Sequence, residues 1–152
     1  MGMHETKHGD PLRLDQQLCF PLYAATNLLQ RLYRPLLAPL GLTYSQYLVM
    51  LVLWSRDAVY VGDLRDCLHL DIGTLSPLLK RMEQAGFVTR RRDAEDERRV
   101  LVSLTPQGRA LRKRAAGIPL ALARQIGLKV DDAVELRGLA QSLVKSLSEA
   151  VG

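Results

Sequence analysis

Apolar positions along the first third of the chain recur at steps of three and four: Leu14, Leu18, Leu22, Ala25, Leu29, Leu32 and Leu36. That spacing predicts a helix with one buried face. Pro39-Leu40-Gly41 breaks it. Thr43 or Ser45 can cap a second helix carrying Tyr47, Leu48, Leu51, Val52 and Trp54. A short helix containing Asp63 and Leu64 ends near Leu68, and Asp71 can cap the next, from Ile72 to about Ala85, which Gly86 closes. The period then changes from helical to alternating. Phe87–Arg92 and Arg99–Leu104 read as strands joined by the charged turn Asp93–Arg98. Thr105-Pro106 reads as a cap and first helical residue, opening a long helix through Leu111 and Ile118 that Pro119 kinks. Asp131 or Asp132 starts a last helix through Leu136, Leu139, Leu143 and Leu147.

Four helices, a hairpin and further helices make a mainly α fold with a β-hairpin wing: a winged helix-turn-helix. Residues 1–13 are expected to be a flexible tail, 14–40 an N-terminal helix, 41–104 the DNA-binding region and 105–150 C-terminal helices. Helix 72–85 is the expected recognition helix. Leu75, Leu78, Leu79 and Met82 face inward. Thr74, Ser76, Lys80 and Arg81 face outward, where hydroxyls and cations can donate to base edges and phosphates in a major groove. The wing offers Arg90, Arg91, Arg92, Arg98 and Arg99, suited to the negative potential of a minor groove. Four acids in the same run nearly cancel these five arginines, the pattern of a solvated loop. Position behind a capped helix and between two strands favours the DNA reading, with Asp96 orienting Arg98 by an ion pair.

Composition adds boundaries. The chain has 152 residues, is 47% hydrophobic and only 5% aromatic, so Leu, Val and Ala must do most of the packing. A formal charge of +5 favours a polyanionic partner without proving one. No apolar run is long enough to span a bilayer and the N-terminus lacks the apolar core of a signal peptide, so a cytoplasmic location and no membrane partner are expected. His4, His8 and His69 are scattered, and no Cys/His group has metal-ligand spacing, so no metal or other cofactor is expected. No Gly-rich phosphate loop or catalytic triad is present, and an enzyme is not expected.

Helix 72–85, the pattern Asp93…Asp96-Glu97-Arg98 and the following Leu104-Thr105-Pro106-Gln107-Gly108 resemble the multiple antibiotic resistance regulator (MarR) family, over about Leu14 to Leu147. The resemblance implies a homodimer that binds pseudo-palindromic operator DNA, acting as a repressor, with the first and last helices as dimer interface, so that 14–40 and 105–150 are dimerisation helices. The N-terminal half is similar to the organic hydroperoxide resistance regulators (OhrR) within it. Gln17-Leu18-Cys19-Phe20, Leu22-Tyr23-Ala24-Ala25, Tyr33-Arg34-Pro35-Leu36 and Leu42-Thr43-Tyr44-Ser45-Gln46-Tyr47 carry that similarity, with Gly73-Thr74-Leu75 and Pro77-Leu78-Leu79-Lys80-Arg81. It implies that organic hydroperoxide oxidises Cys19, that Tyr33 and Tyr44 reach Cys19 from the partner subunit, and that Tyr23 lies nearby.

Elementary chemistry supports the cysteine. Peroxide attacks thiolate, not thiol, so a sensor needs neighbours that favour the anion. Phenol hydroxyls can donate to it. Pro21 suits a first helical turn, so a helix starting near Leu18 puts Cys19 at an N-terminus, where the dipole favours negative charge. Leu and Phe20 nearby suit an alkyl hydroperoxide. The product is a sulfenic acid, which a thiol converts to a disulfide. Because no cysteine lies between Thr105 and Gly152, the expected partner is a small external thiol rather than a resolving cysteine of the kind some relatives carry after the wing. The bland alternative makes Cys19 a small buried hydrophobe; Cys67, between Asp66 and Leu68 on the short helix and so open to partial exposure, is read as structural rather than resolving. Tyr47 and Tyr60 are read as core or surface fillers, and Trp54 as a core anchor. Pro77 is odd inside a recognition helix, either tilting it or sitting in its first turn. Ile72 stands where a small polar residue is usual and could touch a thymine methyl. Two rivals remain: a MarR-type repressor released by a small aromatic ligand with Cys19 inert, and a thiol peroxidase.

Overall fold

The computed structural model describes residues 9–152; His4 and His8, and the larger part of the expected tail, lie outside that range. Residues up to Ala116 form one compact unit and Gly117–Gly152 a second.

In the first unit a 3-10 turn, Leu14–Gln16, precedes α1 (Cys19–Leu37). The expected helix from Leu14 is thus interrupted at Gln17, whose ψ of 127° is extended. The expected burial of the α1 face is not met within the chain. Only Leu37 is buried, while Leu18, Phe20, Leu22 and Leu28 are exposed. After a turn ending at Gly41, α2 (Tyr44–Arg56) starts on a reciprocal cap: the Gln46 N–H donates to Thr43 Oγ1 at 3.3 Å, and the Thr43 N–H to Gln46 Oε1 at 3.1 Å. Its buried side is Gln46, Tyr47, Val49, Met50 and Leu53, so of the expected apolar positions only Tyr47 is fully buried, and Leu51 faces out.

A three-residue strand that periodicity did not predict follows: β1 (Ala58–Tyr60). Then come α3 (Val61–Leu68), α4 (Ile72–Gln84), β2 (Val88–Arg92) and β3 (Val100–Leu104). The strands form one antiparallel sheet in the order β1-β3-β2, with Tyr60 opposite Leu101 and Arg90 opposite Val102. Leu64 of α3, Leu75, Leu79 and Met82 of α4, and Val102 of β3 fill the core with Met50 and Leu53.

The segment after the sheet is tied down by one threonine. Thr105 Oγ1 donates to the Gly86 carbonyl at 2.6 Å and accepts from the Gly108 N–H at 3.0 Å, capping α5 (Pro106–Ala115). Gly86, at φ 83°, takes the left-handed conformation that turns α4 into β2. Trp54 Nε1 donates to the Gly108 carbonyl at 3.0 Å, joining α2 to α5.

The second unit corrects two expectations. α5 ends at Ala115, and a separate helix, α6 (Ile118–Ile126), begins beyond Gly117 with Pro119 in its first turn. Proline there breaks no hydrogen bond, because first-turn N–H groups have no helical acceptor. The last helix, α7 (Val130–Val151), begins before Asp131, after a Lys129 cap position without a side-chain bond. No residue of α7 is buried, and Val134, Leu136, Leu139, Val144 and Leu147 are exposed. Among the described residues no single helix is long and apolar enough to cross a membrane, and no cluster of His, Cys, Asp or Glu could hold a metal ion.

Candidate functional site

Asp71 Oδ1 accepts the Thr74 N–H at 2.7 Å and starts α4. Leu75, Leu78, Leu79 and Met82 are buried as expected. Thr74, Ser76, Lys80 and Arg81 are all exposed. Ile72 opens the helix 42% exposed, a large apolar side chain offered to solvent. Pro77 lies inside α4, beyond its first turn, where its missing N–H leaves the Gly73 carbonyl without a helical donor.

The wing is more ordered than a solvated charge run. Arg98 Nε donates to Asp96 Oδ1 at 3.1 Å, the pairing expected of Asp96. Arg92 donates to the Glu97 carbonyl across the turn at 3.0 Å. Strand alternation puts Arg90 and Arg92 on one face of β2 and Arg91 on the other. Arg91, Arg92, Arg98 and Arg99 are exposed, whereas Arg90 is half-buried at the base of the wing. Its guanidinium and backbone N–H both donate to the Glu83 carboxylate, at 3.1 and 3.0 Å, tying β2 to α4. Arg90 thus spends its charge inside the fold. A cleft of about 530 Å³ separates wing from α4, lined by Ile72, Ser76, Arg90, Arg98 and Arg99 and, from β1 and α3, by Tyr60 and Asp63.

The side chain of Arg90, and then its N–H, hold the Glu83 carboxyl below the ordinary glutamate range. A depressed carboxylate stabilises the fold above its unfolded pKa, about 4.3, and loses that contribution as pH falls through the folded value. Thermal melts of wild type and Glu83→Gln should therefore differ by a constant amount above about pH 5 and converge on acidification. A difference that persists unchanged at acid pH removes the ion pair from the account.

Sequence reasoning missed Glu83 and Tyr60. Tyr60 donates its hydroxyl to Asp93 Oδ2 and carries the Arg99 guanidinium 3.6 Å from its ring centroid. A helical acid followed after seven residues by a strand arginine is a pattern that could have flagged Glu83; nothing local points to Tyr60.

Cys19 is the first residue of α1 with Pro21 at the third, as a helix start near Leu18 requires. Cys19 and Cys67 are both exposed, free thiols. Tyr23, one turn on, is 68% exposed. Tyr33 and Tyr44 pack with ring centroids 4.7 Å apart and planes tilted by 35°; Tyr47 sits 5.7 Å from Tyr33 and meets Trp54 edge-on at 6.3 Å. Burial pushes the Tyr33 phenol up to about 12 with help from Tyr44 and Tyr47, and burial raises Tyr44 too. Both stay protonated at neutral pH and can donate. Cys19 and Tyr33 share α1 fourteen residues apart, about 21 Å along its axis. Within one chain the sulfur and the phenol pair therefore do not meet.

A family model for the transcriptional regulators SarA/Rot matches residues 31–114, more than half of the chain. The organic hydroperoxide resistance transcriptional regulator of Bacillus subtilis (strain 168) is 43% identical over 143 residues, covering 92% of this chain and 95% of that protein. The chain belongs to the organic hydroperoxide resistance group of MarR-type transcriptional regulators. The regulator TtmR of Methylorubrum extorquens (strain PA1) is 44% identical over 147 residues, covering 97% of this chain and 74% of its own. Among solved structures, reduced AbfR bound to DNA has a TM-score of 0.79 at 31% identity, covering 92% of this chain and 96% of that one. Members of the group are regulators rather than enzymes, which sets aside the thiol peroxidase, and the winged-helix expectation stands.

Proposed function

We propose that the protein is a homodimeric repressor that binds double-stranded operator DNA and lets go when an organic hydroperoxide oxidises Cys19. One observation carries the redox part. An exposed thiol opens α1 while Tyr33, about 21 Å along the same helix, pairs with Tyr44 at the start of α2, so a second copy is needed to bring these protonated tyrosines to the sulfur. The exposed apolar residues of α1 and α7 are the surfaces such a copy would cover. AbfR is seen on DNA both reduced and overoxidised, which supports operator binding, and the Bacillus relative is a hydroperoxide resistance regulator, which supports the signal.

On DNA, α4 enters the major groove with Thr74, Ser76, Lys80 and Arg81, and Ile72 meets a thymine methyl. Arg98, aimed by Asp96, and Arg91, Arg92 and Arg99 serve the minor groove and flanking phosphates; Arg90 anchors the wing from inside. In the switch the Cys19 thiolate takes the terminal peroxide oxygen. The O–O bond breaks, sulfur gives up two electrons and the alkoxide leaves as alcohol after protonation. A small thiol then attacks the sulfenic acid, forming a mixed disulfide and releasing water.

Band shifts on an inverted-repeat duplex, with mass spectrometry of the same samples, test this. Reduced protein should bind, and cumene hydroperoxide with added glutathione should release it as one adduct per chain appears on Cys19. Release without modification of Cys19, or by a phenolic compound alone, supports the ligand-controlled repressor instead.

A further inference from the structure

The wing turn is gripped by one side chain from the far strand of the sheet. Tyr60 ends β1, which pairs with β3 and not with β2. Its hydroxyl donates to Asp93 Oδ2, just beyond the end of β2. Its ring lies under the Arg99 guanidinium, just ahead of β3, at 3.6 Å. Asp93 Oδ1 receives the Glu95 N–H at 2.8 Å and the Asp96 N–H at 3.4 Å, while the Asp93 N–H closes the turn onto the Arg99 carbonyl at 2.8 Å. One tyrosine thus holds both shoulders of the turn that presents Arg98 and Arg99.

We propose that Tyr60 is a positioning residue for DNA binding: it fixes the pose of the wing turn and the place of the Arg99 guanidinium before DNA arrives. A free arginine on a hairpin tip samples many rotamers and loses that freedom on binding. A guanidinium held 3.6 Å over an aromatic ring has lost part of it already. Tyr60 also lines, with Ser76, Arg98 and Arg99, the cleft between wing and α4. The inference rests on the DNA-binding reading above.

The test uses full-length wild type, Tyr60→Phe and Tyr60→Leu. The probe is a duplex that the wild type selects from a randomised library. Tyr60→Phe keeps the stacked ring and loses the bond to Asp93. It should weaken binding about three- to tenfold, the worth of one hydrogen bond, hasten amide exchange at Glu95 and Asp96, and keep the wild-type salt slope. Tyr60→Leu loses both contacts and should also flatten the salt dependence, by about one unit of slope per wing. A purely structural tyrosine would lower the folded fraction and leave that slope alone. Wild-type slope and affinity in Tyr60→Leu, after correction for folded fraction, overturn the positioning role. So does faster exchange in Tyr60→Phe with unchanged affinity. Wild type that selects no duplex brings down the DNA-binding reading itself, and this inference with it.

Discussion

Cys19→Ser is expected to bind operator within about twofold of wild type and to be indifferent to hydroperoxide, whereas oxidised wild type loses about 100-fold in affinity, a coupling near the top of the usual range. Serine replaces the sulfur almost isosterically at an exposed first-turn position, so the fold has little to lose. What disappears is the nucleophile, since an alcohol does not take oxygen from a peroxide. The size of the wild-type effect follows from where the adduct forms. A mixed disulfide adds a polar group to a helix start whose neighbours, Leu18 and Phe20, are apolar and exposed in the single chain. If a second copy covers them, the adduct must push that contact apart. Fluorescence anisotropy before and after cumene hydroperoxide measures both numbers. Release of Cys19→Ser as readily as wild type would place the trigger elsewhere.

Gly108→Ala is expected to cost roughly 3 kcal/mol, the upper part of the range for overpacking. A Cβ built on Gly108 falls 2.1 Å from the Phe87 carbonyl oxygen and 3.3 Å from Leu104 Cδ2. The nearer atom is backbone, held in place because Phe87 also accepts the Thr105 N–H at 3.1 Å. Neither side can yield without opening the junction of α4, sheet and α5. For a chain of this length the loss lowers Tm by about 6–12 °C. A melt within about 2 °C of wild type would mean that the α5 turn moves away at little cost. The same crowding gives a physical reason for the Leu104-Thr105-Pro106-Gln107-Gly108 motif: threonine ties the turn to Gly86, proline starts the helix and glycine lets it approach.

Much of the winged helix was legible because its signals are local. Asp71, Thr43 and Thr105 each cap the helix predicted for them, since a cap acts on an N–H three residues on. The buried face of α4 is the predicted one because polar residues alternate with apolar ones around it. In α2 apolar residues ring most of the helix, so their spacing does not choose a side. The buried set was Val49, Met50 and Leu53 rather than Leu48, Leu51 and Val52. The break before α6 was read as a kink, because proline marks both a distorted helix and the first turn of a new one.

Sequence alone determined the order of the main elements, the α4 helix with its exposed donors and the hairpin behind it, while the structure chose the start near Leu18 that puts Cys19 at a helix N-terminus over the one at Leu14. Tertiary structure alone decided β1, whose residues pair with partners more than forty positions away, the Tyr60 grip on the wing, the Glu83 hold on Arg90 and the separation of Cys19 from Tyr33 and Tyr44 within one chain. The division has one cause. Caps, turns and helix periods act between neighbours and are written in spacing, whereas a strand pair, a guanidinium over a ring or a helix-to-strand ion pair exists only once separate segments have been brought together.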